Sequence, residues 1–122
     1  MRLVAANFVV PVGRNRRGAL VSAEIDLIAY DSETLCFIEV KTRTSDEFAA
    51  PEAAVNLRKQ RQIIRAARAY RRFFELQKSP FRYDVVSIVM PAEQKPKIVF
   101  LPGFWTEAKF RKTSWSHQSF AS

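Results

Sequence analysis

The sequence predicts an α/β domain on a mixed central sheet, with an antiparallel meander, a crossover helix and further strands. Three features lead there: three apolar segments split by turn-like stretches, one long amphipathic helix after them, and then an apolar run suited to a strand buried on both faces. With 122 residues, a single domain over 1–112 is expected, followed by a polar tail over 113–122. The chain is 48% hydrophobic and 12% aromatic, which supplies a core without disulfides and excludes a disordered chain.

Leu3 to Val10 reads as a first strand, and Pro11 to Gly18 as a basic loop. Ala23 to Tyr30 and Leu35 to Thr42 are rich in Ile, Leu, Val and Phe and read as strands around a polar turn at 31–34. Pro51 suits the first position of a short helix over Glu52 to Val55. Asn56 can cap a long helix from Leu57 to Gln77, ended by Ser79-Pro80. Tyr83 to Met90 and Lys97 to Leu101 read as strands, and Trp105 to Phe110 as a short helix.

The charged residues of the central hairpin are the candidate site. A hairpin turning at Ser32–Glu33 pairs positions whose numbers sum to about 65, which sets Asp26 opposite Glu39 and Glu24 opposite Lys41. With a side-chain period of two, these four residues share one end of one face, while Ile25, Leu27 and Ala29 meet Val40, Ile38 and Cys36 on the other. Two opposed carboxylates cost roughly 0.2–1 kcal/mol on an open sheet and more when buried. A divalent cation removes that cost; hard carboxylate oxygens suit Mg²⁺ or Mn²⁺, and Lys41 beside them can stabilise a phosphoryl transition state. The same residues also suit a solvated set of strand charges in which Lys41 bridges carboxylates.

Other chemistries are poorly served. Cys36 is the only cysteine, inside the apolar run Leu35-Cys36-Phe37-Ile38, and reads as a buried small hydrophobe. His117, the only histidine, lies in the polar tail, so Cys/His and Ser/His/Asp catalysis and zinc binding lack partners. No stretch is long enough to span a membrane, and Arg14, Arg16 and Arg17 follow the apolar N-terminal segment, the wrong polarity for a signal peptide. A cytoplasmic setting is expected.

The hairpin residues, Glu24-Ile25-Asp26-Leu27-Ile28-Ala29 and Phe37-Ile38-Glu39-Val40-Lys41-Thr42-Arg43, resemble the YraN-like family of bacterial proteins. The resemblance continues through Pro51 to Val55, Lys59, Ala66, Ala67, Tyr70 and Arg82 to Val86, and covers roughly Arg2 to Val89. That family is similar to archaeal Holliday-junction resolvases. The resemblance implies a restriction-endonuclease-like core of the PD-(D/E)xK type and metal-dependent cleavage of DNA, including structured or junction DNA. It implies that Asp26 and Glu39 hold the metal with the Val40 carbonyl as a further ligand, that Lys41 is the catalytic lysine, and that Glu24 occupies a motif position of unassigned role. By analogy with the resolvases it implies a homodimer. Family members begin with a helix bearing a glutamate, whereas Met1 here stands at the first strand. The stretch Val9 to Ser22 is longer than usual, and Ala23 replaces a typical glycine. The alternative is therefore a nucleic-acid-binding module of the same fold with weak or no cleavage.

The net charge of +8 draws the chain toward polyanions, DNA before RNA. On the long helix Ile63, Ala67, Tyr70 and Phe74 mark an apolar face, and Arg61, Arg65, Arg68 and Arg72 a basic one, since positions 61 and 63 lie about 200° apart. Arg58, Lys59 and Arg71 add charge, and no acidic residue lies between Glu52 and Glu75. A solvated face is the plain alternative, but a long, single-signed, arginine-dominated run suits bidentate phosphate contacts. Arg14, Arg16, Arg17 and Arg43 are further candidate contacts. Trp105, Phe104, Phe110 and Trp115 could stack on bases, but packing or a dimer contact is the better expectation.

Overall fold

A computed structural model describes residues 1–44 and 55–111. The short helix expected at 52–55 and the tail with Trp115 and His117 lie at least partly outside these residues. Strands β1 (Arg2–Arg14), β2 (Leu20–Asp31) and β3 (Thr34–Arg43) precede helix α1 (Leu57–Phe73), strands β4 (Phe81–Val89) and β5 (Lys97–Trp105) and a 3-10 turn, Ala108–Arg111. The five strands form one sheet in the order β1-β2-β3-β4-β5. Only β3 and β4 run parallel, joined through α1, and every other neighbouring pair is antiparallel. This is the expected mixed sheet with its meander and crossover helix.

Helix α1 covers one face. Ile63, Ile64, Ala66, Ala67 and Tyr70 pack in one cluster with Ile25, Ile28, Leu35, Phe37, Tyr83 and Val85. On the opposite face Ala29, Cys36 and Ile38 form a smaller cluster with Leu27, Val40 and Val86. Cys36 is fully buried, and burial first, then nearby Asp84, pushes its thiol up to about 11. It is a packing residue, as expected, and not a nucleophile.

The first hairpin is longer than the sequence suggests. Pro11 to Gly18 was expected as a loop, but β1 continues through Pro11 to Arg14, paired with β2, with a register shift between Pro11 and Gly13. Because β1 is an edge strand, proline's missing N–H breaks no ladder. Gly13 has φ of 140°, and a Cβ there would meet Arg65 Nη2 at 3.0 Å; Arg65 donates to the Val12 carbonyl. The extended hairpin is thus tied to α1. Its tip is tightened by Asn15 Oδ1, which accepts from the amides of Arg17 at 2.9 Å and Ala19 at 3.0 Å.

Asn56 caps α1 as expected, its side chain accepting from the Lys59 amide at 2.8 Å. The helix ends at Phe73 rather than Gln77. The Leu76 amide donates to the Arg71 carbonyl (2.6 Å) and the Glu75 amide to the Arg72 carbonyl (3.2 Å), which turns partly buried Leu76 back onto the core. Phe74, expected on the apolar face, lies beyond the helix and is half exposed. Glu75 has φ of 57°, a conformation that costs a non-glycine residue about 1 kcal/mol. Glu75→Gly relieves that cost but frees the unfolded chain by about 0.4–1 kcal/mol, so a net stabilisation of up to about 0.6 kcal/mol is expected; a thermal melt showing a lower Tm would contradict this reading of the turn.

Candidate metal and phosphodiester site

The register of the β2–β3 hairpin follows the expected rule: Leu27 pairs with Ile38, Ile28 with Phe37, Ala29 with Cys36 and Tyr30 with Leu35. The ladder stops there, so Asp26 and Glu39 do not form the backbone pair predicted for them. Instead the Asp26 carboxylate enters the opening and Oδ2 accepts the Val40 amide at 2.8 Å. The carboxylate takes the place of a backbone partner where the strands part. In a strand the N–H and C=O of one residue point to the same neighbour, so the Val40 carbonyl faces the same opening.

Strict alternation also breaks at Asp26. Ile25 and Ile28, three residues apart, both join the cluster under α1, so Ile25 is not on the face with Leu27 and Ala29 as predicted. Across on β1, Ala5 and Phe8 show the same spacing against that cluster, and Asn7 between them has φ of 52°. With Ala6 opposite Leu27 and Phe8 opposite Ile25, the two irregularities face each other. Asparagine tolerates this left-handed conformation better than most residues. The local distortion turns Asp26 out of the pleat and toward β3.

Glu39 lies on the α1 side of β3, in phase with Leu35 and Phe37, and is only 4% exposed. Its Oε2 is buried without a hydrogen bond; the Lys59 ammonium of α1 stands 3.7 Å away. Burial, then the adjacent Asp26 carboxyl, pushes the Glu39 carboxyl up to about 8, while Lys59 and Lys41 act the other way. Desolvation therefore outweighs the nearby ammonium groups. Lys41 is half-buried two residues beyond Glu39 on the same face, in register with buried Ser87 of β4.

The predicted group of four thus becomes Asp26, Glu39 and Lys41. Glu24 is exposed between buried Ala23 and Ile25, so alternation turns it to the face opposite α1. Among the described residues no hydrogen bond or ion pair joins Glu24 to the other three. In its place stands Lys59, which the sequence reading assigned to the general basic surface. The donor chemistry suits a divalent cation: the Asp26 and Glu39 carboxyls are neighbours, and among the described residues the buried Glu39 Oε2 has no hydrogen bond. Among the described residues, however, no group of three or more His, Cys, Asp or Glu side chains is placed to hold a metal.

The basic helix face is exposed, as expected, at Arg58, Arg61, Arg65, Arg68 and Arg72. Several of these groups are already engaged. Arg65 holds Val12, Arg61 lies over the Phe110 ring at 5.2 Å, and Arg68 donates to Glu107 Oε1 at 2.9 and 3.1 Å. Arg71, expected on the charged surface, is 8% exposed, donates to Glu107 Oε2 at 2.9 Å and lies 3.8 Å over Phe81. Burial raises the Glu107 pKa, but hydrogen bonds from Tyr83 and Arg68 overcome it and hold the carboxyl below its ordinary value. Pro11, Val12, Arg65, Arg68, Ala69 and Arg72 line a groove of about 400 Å³ between the first hairpin and α1. Arg14 donates to the Gly18 carbonyl at the exposed hairpin tip beside Arg16 and Arg17, and Arg43 ends β3 half-buried. Trp105 stacks on Tyr83 at 5.1 Å and is buried, so it packs rather than waiting for a base.

The family model described as "Uncharacterised protein family UPF0102" matches residues 1–88. A UPF0102 protein of Chlorobium limicola is 39% identical over 112 residues, covering 87% of this chain and 79% of the relative. One from Solibacter usitatus is 41% identical over 92 residues, 75% of this chain and 68% of the relative. One from Chlorobium chlorochromatii is 48% identical over 75 residues, 62% of this chain and 57% of the relative. The matched segment contains all of β1–β3 and α1 and nearly all of β4, the elements that build the Asp26–Glu39–Lys41 opening, and the chain belongs to the UPF0102 family, the YraN-like group its hairpin motifs resemble.

Proposed function

We propose that this protein is a metal-dependent nuclease of the PD-(D/E)xK type that hydrolyses phosphodiesters in DNA, including structured or junction DNA. The observation that carries the reading is the carboxyl pair at the strand opening: Asp26 held on the Val40 amide beside Glu39, whose buried Oε2 has no hydrogen bond. Burial beside Asp26 pushes the Glu39 carboxyl up, an arrangement that works against its ionised form and that a bound cation would relieve. Asp26, Glu39 and the Val40 carbonyl would hold Mg²⁺ or Mn²⁺, which when bound supplies Lewis acidity toward a phosphoryl oxygen and the attacking water. Lys41 adds a positive charge on the same face, placed to stabilise charge developing on the phosphate. The groove beside Arg72 and the hairpin tip with Arg16 and Arg17 would receive the flanking backbone.

The homodimer belongs to this reading through the likeness to junction resolvases. Phe8, Val9, Phe73 and Phe74 line an apolar hollow of about 550 Å³ beside edge strand β1 that a second copy would cover. A cytoplasmic setting also belongs to the reading; among the described residues no helix is long and apolar enough to cross a membrane. The second reading is a nucleic-acid-binding module of the same fold with weak or no cleavage.

Calorimetric titration with Mn²⁺ tests the centre. Wild type is expected to bind, and saturation at about 100 times Kd should raise stability by about 2.7 kcal/mol. Asp26→Asn is the informative variant, because an amide oxygen can still accept the Val40 N–H while the charge is lost; it should abolish the metal-induced rise in Tm. Wild type that takes up no ion at millimolar Mn²⁺ would rule out the centre. Binding without cleavage of linear, nicked or four-way-junction DNA would select the binding module.

A further inference from the structure

We propose that Lys59 is a working cation of the carboxylate site: it rests against Glu39 until a divalent cation takes that side chain, and is then released to the phosphodiester of the nucleic acid. The inference rests on the metal-dependent nuclease reading and adds a substrate-contacting residue from α1 to a centre otherwise drawn from β2 and β3.

The contact itself points to an exchange. Lys59 Nζ lies 3.7 Å from Glu39 Oε2, within ion-pair range but beyond a hydrogen bond, and Oε2 accepts no hydrogen bond from any other group. The lysine therefore stands against the carboxyl without locking it. Its side chain is 33% exposed whereas that of Glu39 is 4% exposed, so the ammonium has open space to move into and the carboxylate does not. A divalent ion on Glu39 would repel the ammonium. The freed group would remain on the face it shares with Lys41, where the phosphate must lie if Lys41 is to act on it.

The other cations of α1 cannot take this part so readily. Arg65 is spent on Val12, and Arg68 and Arg71 on Glu107. Arg61 lies over Phe110. Lys59 sits in the first turn of the helix, its own amide fixed by the Asn56 cap, so its backbone is anchored while its side chain is not. A lysine suits such an exchange better than an arginine, because it is a compact point charge on a flexible stem rather than a planar fork that favours one bidentate partner.

The test compares wild type, Lys59→Gln and Lys78→Gln. Lys78 is an exposed lysine beyond the end of α1. Mn²⁺ affinity is read by calorimetry, and binding of a fluorescein-labelled four-way junction by anisotropy in EDTA and in Ca²⁺. Lys59→Gln should bind Mn²⁺ up to about fivefold more tightly, the worth of a part-exposed ion pair. Wild type should bind the junction more tightly in Ca²⁺ than in EDTA, and Lys59→Gln should lose about tenfold of that gain, the worth of one charge-assisted hydrogen bond, with its EDTA affinity unchanged. Lys78→Gln should leave the gain intact. An unchanged Ca²⁺ gain in Lys59→Gln, or weaker Mn²⁺ binding, overturns the proposal while leaving the metal centre standing. Wild type that binds no Mn²⁺ overturns both together.

Discussion

Lys41→Ala is expected to lower Mg²⁺-dependent DNA cleavage by about 10²–10³-fold, the loss seen when one preorganised stabiliser of a transition state is removed. Lys41 stands two residues beyond Glu39 on the same face of β3, and its charge reaches the Glu39 carboxyl. An ammonium is not a ligand for a cation, so Mn²⁺ affinity and Tm should stay close to wild type. Junction binding should fall only slightly, since the chain carries 20 lysines and arginines and one phosphate contact changes the log–log salt slope by about one unit. Lys41→Arg should not restore the rate, because a guanidinium differs in shape and does not release its proton near neutral pH. Single-turnover cleavage separates the chemical step from binding. If Lys41→Ala cut at the wild-type rate, Lys41 would be only a strand charge.

The sheet was legible in the sequence because its signals are local. Alternating apolar segments set the strands, the polar turn at Ser32–Glu33 set the register of β2 on β3 as far as Leu27 and Ile38, and Asn56 marked the start of α1. The site was legible as a set of residues but not as a geometry. Counting positions across a hairpin assumes an unbroken ladder, and the ladder breaks at Asp26, where a side chain replaces a backbone partner. The positive φ that faces that break is at Asn7, on β1 and outside the hairpin whose positions are counted. It therefore could not reveal that Glu24 falls on the other face. Lys59 could have been found. At 100° per residue it lies about 40° from Ile63 on the helix wheel, at the margin of the buried face, whereas Arg61 lies about 160° away. Arg71 could not, because what buries it is Phe81 and Glu107, brought from beyond α1.

Glu39 should give the metal-free protein and its metal affinity opposite responses to pH. Burial pushes its carboxyl up from the ordinary 4.5 to about 8, so between these values the folded protein binds a proton that the unfolded chain releases. Stability linked to this group is therefore full below about pH 4.5 and falls as pH rises toward 8. The charged groups that face it are Asp26 from β2, Lys41 on its own strand and Lys59 from α1. A cation must displace the same proton, so Mn²⁺ affinity should rise about tenfold per pH unit below the Glu39 pKa and level off above it. Between pH 6 and 8 the Tm in EDTA should drop while the Tm in saturating Mn²⁺ holds or climbs. Glu39→Gln keeps the size of the side chain and removes the titration. Its EDTA profile should lose most of the wild-type slope over this range, and it should show little affinity for Mn²⁺ at any pH. Parallel wild-type and Glu39→Gln profiles in EDTA would mean that Glu39 is already ionised at neutral pH, satisfied by Lys59 alone, and that no proton stands between the carboxylate and its cation.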